Sequence, residues 1–492
     1  MRKIIIPIAA LVALTISCSK FDGLYDYMPG MYDNASMKNY AMEDGGEEEP
    51  SGDRFDKIVE NPFVETATEP VSTFSVDADG AAYAYMRRCL SGGYLPSANA
   101  VRIEEYLNYF TFDYSDPQDG ATVALNAEAG PCPWNTGHKL LRLGIKGKSL
   151  AADEIPQANF VFLVDVSGSM SSADKLPILK QGLITMLDYM RPDDRIALVT
   201  YASGEKLVLQ STSVSNKNAI VKAIKSLAAS GSTAGASGMK MAYEEAEKNF
   251  IQGANNRVIM GTDGDFNVGI TGTDAICEFV QNYAAKGIYL TICGFGTGNL
   301  NDSMMEQVSN SGNGTYEYID SENELTKVFV NERSKFVSVA NDCKTQVTFN
   351  PEVVSKYRLI GYENRMLQND DFENDKVDAA EIGSGQTITA LYELEMAGDG
   401  SIGKFDFRYK DALGEDSKLV SLELPAAGNK TSENLQFASS IAAYGLWLRD
   451  SQYKCEASLD MAIELAQNSI GKDPYGLRSE YVKLLQKAAT IK

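Results

Sequence analysis

Between about residues 157 and 340 the chain alternates short apolar runs with longer amphipathic stretches, and few folds accept that pattern. FVFLVDV, RIALVTYAS, RVIMGTD, IYLTICGFG and TYEYID have strand length and hold continuous, mostly apolar runs. Between them KLPILKQGLITMLDYM, NKNAIVKAIKSL, GASGMKMAYEEAEKNF, TDAICEFVQNYAAKG and NDSMMEQVSNS carry the helical period, and ENELTKVFVNERSKFV closes the run as a further helix. A strand that is apolar at every position is buried on both faces, and helices on either side of a parallel sheet supply that cover. The expected fold class is therefore α/β: a doubly wound, mostly parallel sheet of the Rossmann-like kind.

The flanks read differently. After Cys343 the segments TQVTFNP, YRLIGYE, TITALYELEM, GKFDFRYK and KLVSLELP alternate as strands, with turn residues between them. Before the α/β region only ATVALNAEAG and KLLRLGIKG have strand character, behind two helices in AAYAYMRRCLSGG and SANAVRIEEYLNYF, the second capped by Ser97 or Asn99. Neither strand group is large enough to stand alone, so the two are expected to pair into one β-sandwich, with the α/β domain inserted between them. A helical tail follows, and Arg449 and Asp450 break its most apolar helix, which fits core packing and not a membrane span. The expected organisation is a flanking region over 70–156, the α/β domain over 157–340, a β-rich module over 341–430 and a helical segment over 431–492.

The first eighteen residues, MRKIIIPIAALVALTISC, have a basic start, an apolar stretch and a small residue before Cys18. They read as a lipoprotein signal, with Cys18 acylated as the mature N-terminus, and place the chain in a bacterial envelope, anchored by lipid to the outer membrane with either face open. Residues 19–69 are acidic, Gly- and Pro-broken and without period, so they are expected to form a disordered tether. A formal net charge of −22 argues against nucleic acid as a partner. Cys277 and Cys293 sit in apolar patterns and read as small buried hydrophobes, whereas Cys89, Cys132, Cys343 and Cys455 leave three pairings open in an oxidising compartment. The single histidine, His138, and the absence of any CxxC remove zinc-site spacing, and His138 is expected on the surface.

The chemistry concentrates where apolar strands end. Asp165, Ser167 and Ser169 follow FVFLV; Thr233, in GSTAG, precedes a helix; Asp263 ends VIMGTD. In an open α/β sheet the loops at the carboxyl ends of the strands converge on the ligand site. Alone, Asp-x-Ser-x-Ser is more simply a helix cap. Together the loops offer two carboxylates and three hydroxyls, a hard oxygen set suited to Mg²⁺, with Mn²⁺ or Ca²⁺ as substitutes.

This combination resembles the metal-ion-dependent adhesion site (MIDAS) of von Willebrand factor type A (VWA) domains. The resemblance implies coordination by Ser167 and Ser169, with Thr233, Asp165 and Asp263 acting directly or through water, and a partner's carboxylate completing the shell. It also implies no neighbouring regulatory ion, because SSADKL supplies only Asp174. ENPF, VSTFSVDAD, AVRIEEYLNYF, TDGDFNVG, FNPEVVSKYRLIGYENR and TALYELEM further resemble a bacterial envelope family, in which such a domain lies between characteristic flanking regions. The leading expectation is a non-enzymatic, metal-dependent adhesion protein whose ligand is an acidic group of a protein or glycan. The alternatives are a scaffold whose metal only staples loops and a Mg²⁺-assisted hydrolase. The hydrolase would lack a histidine base and a phosphate-cradling loop, leaving only Asp265 as a further carboxylate.

Overall fold

The computed structural model describes residues 53–491, apart from 77–78, 152, 232–237, 265–271, 299, 376–378 and 413. The α/β region forms a six-stranded sheet. From one edge its order is Tyr316–Ile319, Ile288–Phe295, Asn255–Thr262, Ala158–Asp165, Arg195–Tyr201 and Glu205–Ser213. All neighbours are parallel except the last pair. The continuous apolar runs explain the layers. Val161 and Leu163 face one core with Met239 and Tyr243, while Phe160, Phe162 and Val164 face the other with Leu179 and Leu183.

The flanking strands pair as expected. His138–Gly147, from before the α/β domain, lies antiparallel to Thr387–Met396, from after it, with register Thr387↔Lys146 to Glu395↔His138. Val123–Pro131, Val354–Ile360 and Val64–Glu65 complete that sheet. A second sheet is built from Ser338–Phe349, Ala380–Gly383, Gly403–Lys410 and Lys418–Leu424, with Val71–Ser75 also paired to Ser338–Phe349. Residues from both sheets share one apolar core, including Leu141, Leu143, Phe405 and Phe407. The chain thus leaves a sandwich, builds the α/β sheet and returns.

Three expectations are corrected. Residues 53–69 belong to the fold and not to a tether: Asp53 accepts from the backbone N–H of Gly298 (2.7 Å) and Leu300 (3.0 Å), and Phe55 packs on Tyr85 with ring centroids 4.9 Å apart. Val64 and Glu65 add an edge strand to the sandwich. Phe55, Phe63 and Val64 are the apolar residues that anchor this otherwise polar stretch. ENELTKVFVNERSKFV is not one helix. A short helix, Glu322–Thr326, gives way to a π turn over Lys327–Asn331 where Lys327 is buried between Glu324 and Glu332, then to a 3₁₀ turn. In SANAVRIEEYLNYF, extended Val101 and Arg102 separate a 3₁₀ turn from the helix Ile103–Asn108, which turns Arg102 inward onto carboxylates.

None of the described cysteines is in a disulfide; Cys89, Cys132, Cys293 and Cys343 are buried, Cys277 is half-buried and Cys455 exposed. Cys18 lies outside the described residues. Among those described, no helix is long and apolar enough to cross a membrane.

One glycine tests how tightly the α/β sheet is closed. A Cβ on Gly314, just before the edge strand, would lie 1.3 Å from the carbonyl oxygen of Leu290 on the neighbouring strand. A strand carbonyl cannot rotate away. Gly314→Ala is therefore expected to lower stability by about 1–3 kcal/mol, read as a fall in the denaturant midpoint at unchanged slope.

Candidate metal centre

Asp165 is the last residue of a central strand and is fully buried. Its Oδ1 accepts the backbone N–H of Ser167 at 2.7 Å, which folds the chain back over the strand end. The turn continues as a 3₁₀ segment over Gly168–Ser171, plugged into the core by buried Met170. The hydroxyls of Ser167, just before that segment, and of Ser169 within it sit 2.9 Å apart. The second loop is fastened to the first: Gly168 N–H donates to the Gly231 carbonyl at 3.0 Å, and Ser230 N–H donates to Val166 at 2.7 Å. Thr233 follows in that loop but lies outside the described residues. Asp263 directly follows the neighbouring strand Asn255–Thr262 and is likewise fully buried. Asp165, Ser167, Ser169 and Asp263 are thus placed at one end of the sheet by adjacent parallel strands. Asp265 lies outside the described residues.

The electrostatics fit a cation. Asp165 Oδ2 is buried and makes no hydrogen bond of normal geometry, although the buried Tyr201 hydroxyl is near enough to lower the carboxyl slightly. Burial pushes the Asp165 carboxyl up to about 6, and the Asp263 charge adds to the rise, against the hydrogen bonds from Ser167. A buried carboxylate with an unused oxygen beside a second carboxylate is costly unless a positive charge arrives. Among the described residues no group of three or more His, Cys, Asp or Glu side chains could hold a metal. Among the described residues an ion here could draw on two carboxylates and the hydroxyls of Ser167 and Ser169, oxygen donors that suit Mg²⁺ and leave it electrophilic.

Sequence reasoning missed Lys175. Its ammonium reaches into the site and pairs with Asp263 Oδ2 at 2.8 Å, both side chains being nearly or fully buried. Only its position, after the serine turn and just before the helix Leu176–Met186, could have suggested this. Asp174 points elsewhere: its carboxylate takes Arg88 at 2.6 Å and the Ser172 hydroxyl. His138 is also corrected. It is not a plain surface residue, because its Nδ1 lies 2.7 Å from Glu393, which also binds Arg358 and the Trp134 indole N–H. Arg358 and Glu393 come from strands more than two hundred residues away, so spacing gave no hint of them.

Comparison with known proteins extends these observations. The von Willebrand factor type A domain model matches residues 159–331, and a second von Willebrand factor model matches 49–142. A model described as "Uncharacterized protein YfbK, C-terminal" matches 334–403 and 398–491. The protein named "Uncharacterized protein YfbK" from Escherichia coli (strain K12) is 39% identical over 469 residues, covering 89% of this chain and 81% of that protein. The chain belongs to the YfbK family. A second similar protein, "Uncharacterized protein sll0103" from Synechocystis, is 25% identical over 307 residues, covering 59% of this chain and 70% of that one. The solved structure "von Willebrand factor type A from Catenulispora acidiphila" is 16% identical, covers 77% of this chain and 91% of that one, and aligns with a TM-score of 0.43. Within the YfbK family architecture, the matched VWA segment coincides with the inserted α/β sheet, and the C-terminal match begins where the chain returns to the sandwich.

Proposed function

We propose that this YfbK-family chain is a metal-dependent binding protein, held in a bacterial envelope by a lipid on Cys18. Asp165, Ser167, Ser169, Thr233 and Asp263 would hold Mg²⁺, and a carboxylate from a protein partner would complete its shell. The observation that carries this reading is the buried Asp165 Oδ2, which makes no hydrogen bond of normal geometry, beside the paired serine hydroxyls. When bound, the ion supplies an electrophile for an acidic ligand. The chain's own residues position it, and Met170 keeps the turn seated in the core.

The surroundings support a protein segment over a glycan. Beside the serine turn lies a cleft of about 460 Å³, lined by Met170, Leu176, Ile184, Lys180, Lys225 and Ala229. Its apolar residues suit an apolar side chain, and Lys180 and Lys225 suit acidic groups beside it. Lys180 is steadied by donating to the carbonyls of Lys225 (3.0 Å) and Leu227 (2.7 Å). An enzymatic reading has less to draw on, since the one histidine is committed to Glu393 in the sandwich.

The test is to strip divalent ions from the full chain with a chelator, restore Mg²⁺ or Mn²⁺, and follow both thermal unfolding and single-site binding. The binding reading expects saturable uptake of one ion, with ligand-like stabilisation that tracks ion concentration as RT ln(1 + [L]/Kd). A folded protein that takes up no ion, even with acetate present as a carboxylate, would overturn it. Cooperative unfolding of the whole chain on chelation would instead favour a metal that serves as a structural staple.

A further inference from the structure

Lys175 is an unusual neighbour for a cation site. Its Nζ is 2.8 Å from Asp263 Oδ2, in a place where its side chain is 10% exposed and the carboxylate 0%. The approach is built for it. Gly296, at φ +74°, lies alongside the lysine stem, and a Cβ there would fall 2.1 Å from Lys175 Cε. The Gly296 carbonyl is in turn fixed by the Tyr318 hydroxyl at 2.6 Å. An ammonium held on one of two buried carboxylates leaves the other, Asp165, with an Oδ2 that makes no hydrogen bond of normal geometry.

We propose that Lys175 is a tethered counter-ion of the metal site, which keeps divalent-ion affinity low until an anionic ligand arrives. The proposal rests on the metal-site reading above. Its logic is a charge count. Asp165 and Asp263 with Lys175 carry a net −1. A divalent ion takes the site to +1, and one carboxylate from a partner returns it to neutrality. Without the lysine, the ion alone would neutralise the site, and the ligand would bring a surplus negative charge. Burial strengthens each of these interactions relative to water. Ion and carboxylate are therefore coupled, each raising the other's affinity by the same factor. Such a site selects anionic ligands and resists charging by the ion alone.

The experiment is Mn²⁺ calorimetry on the full chain and on Lys175→Met, in chloride and in acetate buffers of equal ionic strength, with acetate as the carboxylate probe. Lys175→Met is expected to bind Mn²⁺ about tenfold more tightly in chloride, since a like charge a few ångströms away is removed. Acetate is expected to tighten Mn²⁺ binding several-fold in the natural chain, and much less in the variant. The metal-free variant should melt at a lower temperature and be restored by Mn²⁺. Lys175→Gln, which keeps a polar tip without the charge, supplies the same comparison if the methionine variant folds poorly. Equal or weaker Mn²⁺ binding by both variants would overturn the proposal while leaving the metal site standing. No Mn²⁺ binding by any folded form would overturn the site itself.

Discussion

Replacing Arg102 by leucine is expected to remove about 3–5 kcal/mol of stability, because it leaves buried carboxylates without their counter-charge. Arg102 lies 3.0 Å from Glu105, 2.6 Å from Asp302 and 3.1 Å from Glu306, and all four side chains are buried. Glu306 also binds Arg365 and, at 3.0 Å, the Asn364 amide. The cluster thus joins the N-terminal helical region, a helix of the α/β domain and the loop after a sandwich strand. Three carboxylates face two guanidinium groups. Burial pushes Glu105 up to about 8 despite Arg102, whereas Arg102 and Arg365 overcome burial and hold Glu306 below the usual carboxylate range. Lysine cannot replace the fork that reaches several carboxylates at once, so Arg102→Lys should recover only part of the loss. Chemical denaturation of both variants measures this. A loss below about 1 kcal/mol for the leucine variant, the size expected of an exposed pair, would show that the cluster does not join these parts.

The second large effect concerns Asp165→Asn, which should make the metal-free protein more stable while abolishing its response to Mg²⁺ and Mn²⁺. Asparagine keeps an oxygen for the Ser167 N–H, now accepted at 2.7 Å, but carries no charge. In the natural chain burial raises this carboxyl from 3.8 to about 6. A group raised by folding contributes fully below its unfolded value and loses that contribution as pH rises through its folded value. Metal-free natural protein should therefore weaken between about pH 4 and pH 7 relative to the variant, by roughly 2–3 kcal/mol. Unfolding curves at pH 4 and pH 7, with chelator present, give the comparison. A variant that melts lower at pH 7 would mean that the carboxylate serves the fold, not an ion.

Much of this was legible in the sequence where the governing physics is local. The run FVFLV and those of its neighbours carry apolar residues on both faces because helices cover both, so the doubly wound sheet follows from pattern alone. The Asp165, Ser167 and Ser169 turn was legible because strand end, turn and hydroxyls are contiguous. The pairing of His138–Gly147 with Thr387–Met396 followed from a shortage: neither flank held enough strands for a sheet. What stayed hidden depends on contacts between distant segments. Lys175 reads as an ordinary residue before a helix until Asp263 and Gly296, from two other strands, are brought beside it. Arg102 meets Asp302 and Glu306 across some two hundred residues, and nothing in the local sequence marks it for burial. Asp53 and Phe55 sit in an acidic, Gly-rich context whose composition outweighs two anchoring side chains, so residues 53–69 read as tether.

The most direct test of the central claim is a paired calorimetric titration of Mn²⁺, in acetate buffer, into the full chain and into Asp165→Asn, both first freed of divalent ions and shown to be folded. The account predicts one saturable site in the natural chain and none in the variant. Equal heats in both proteins, or no binding in either, would contradict it.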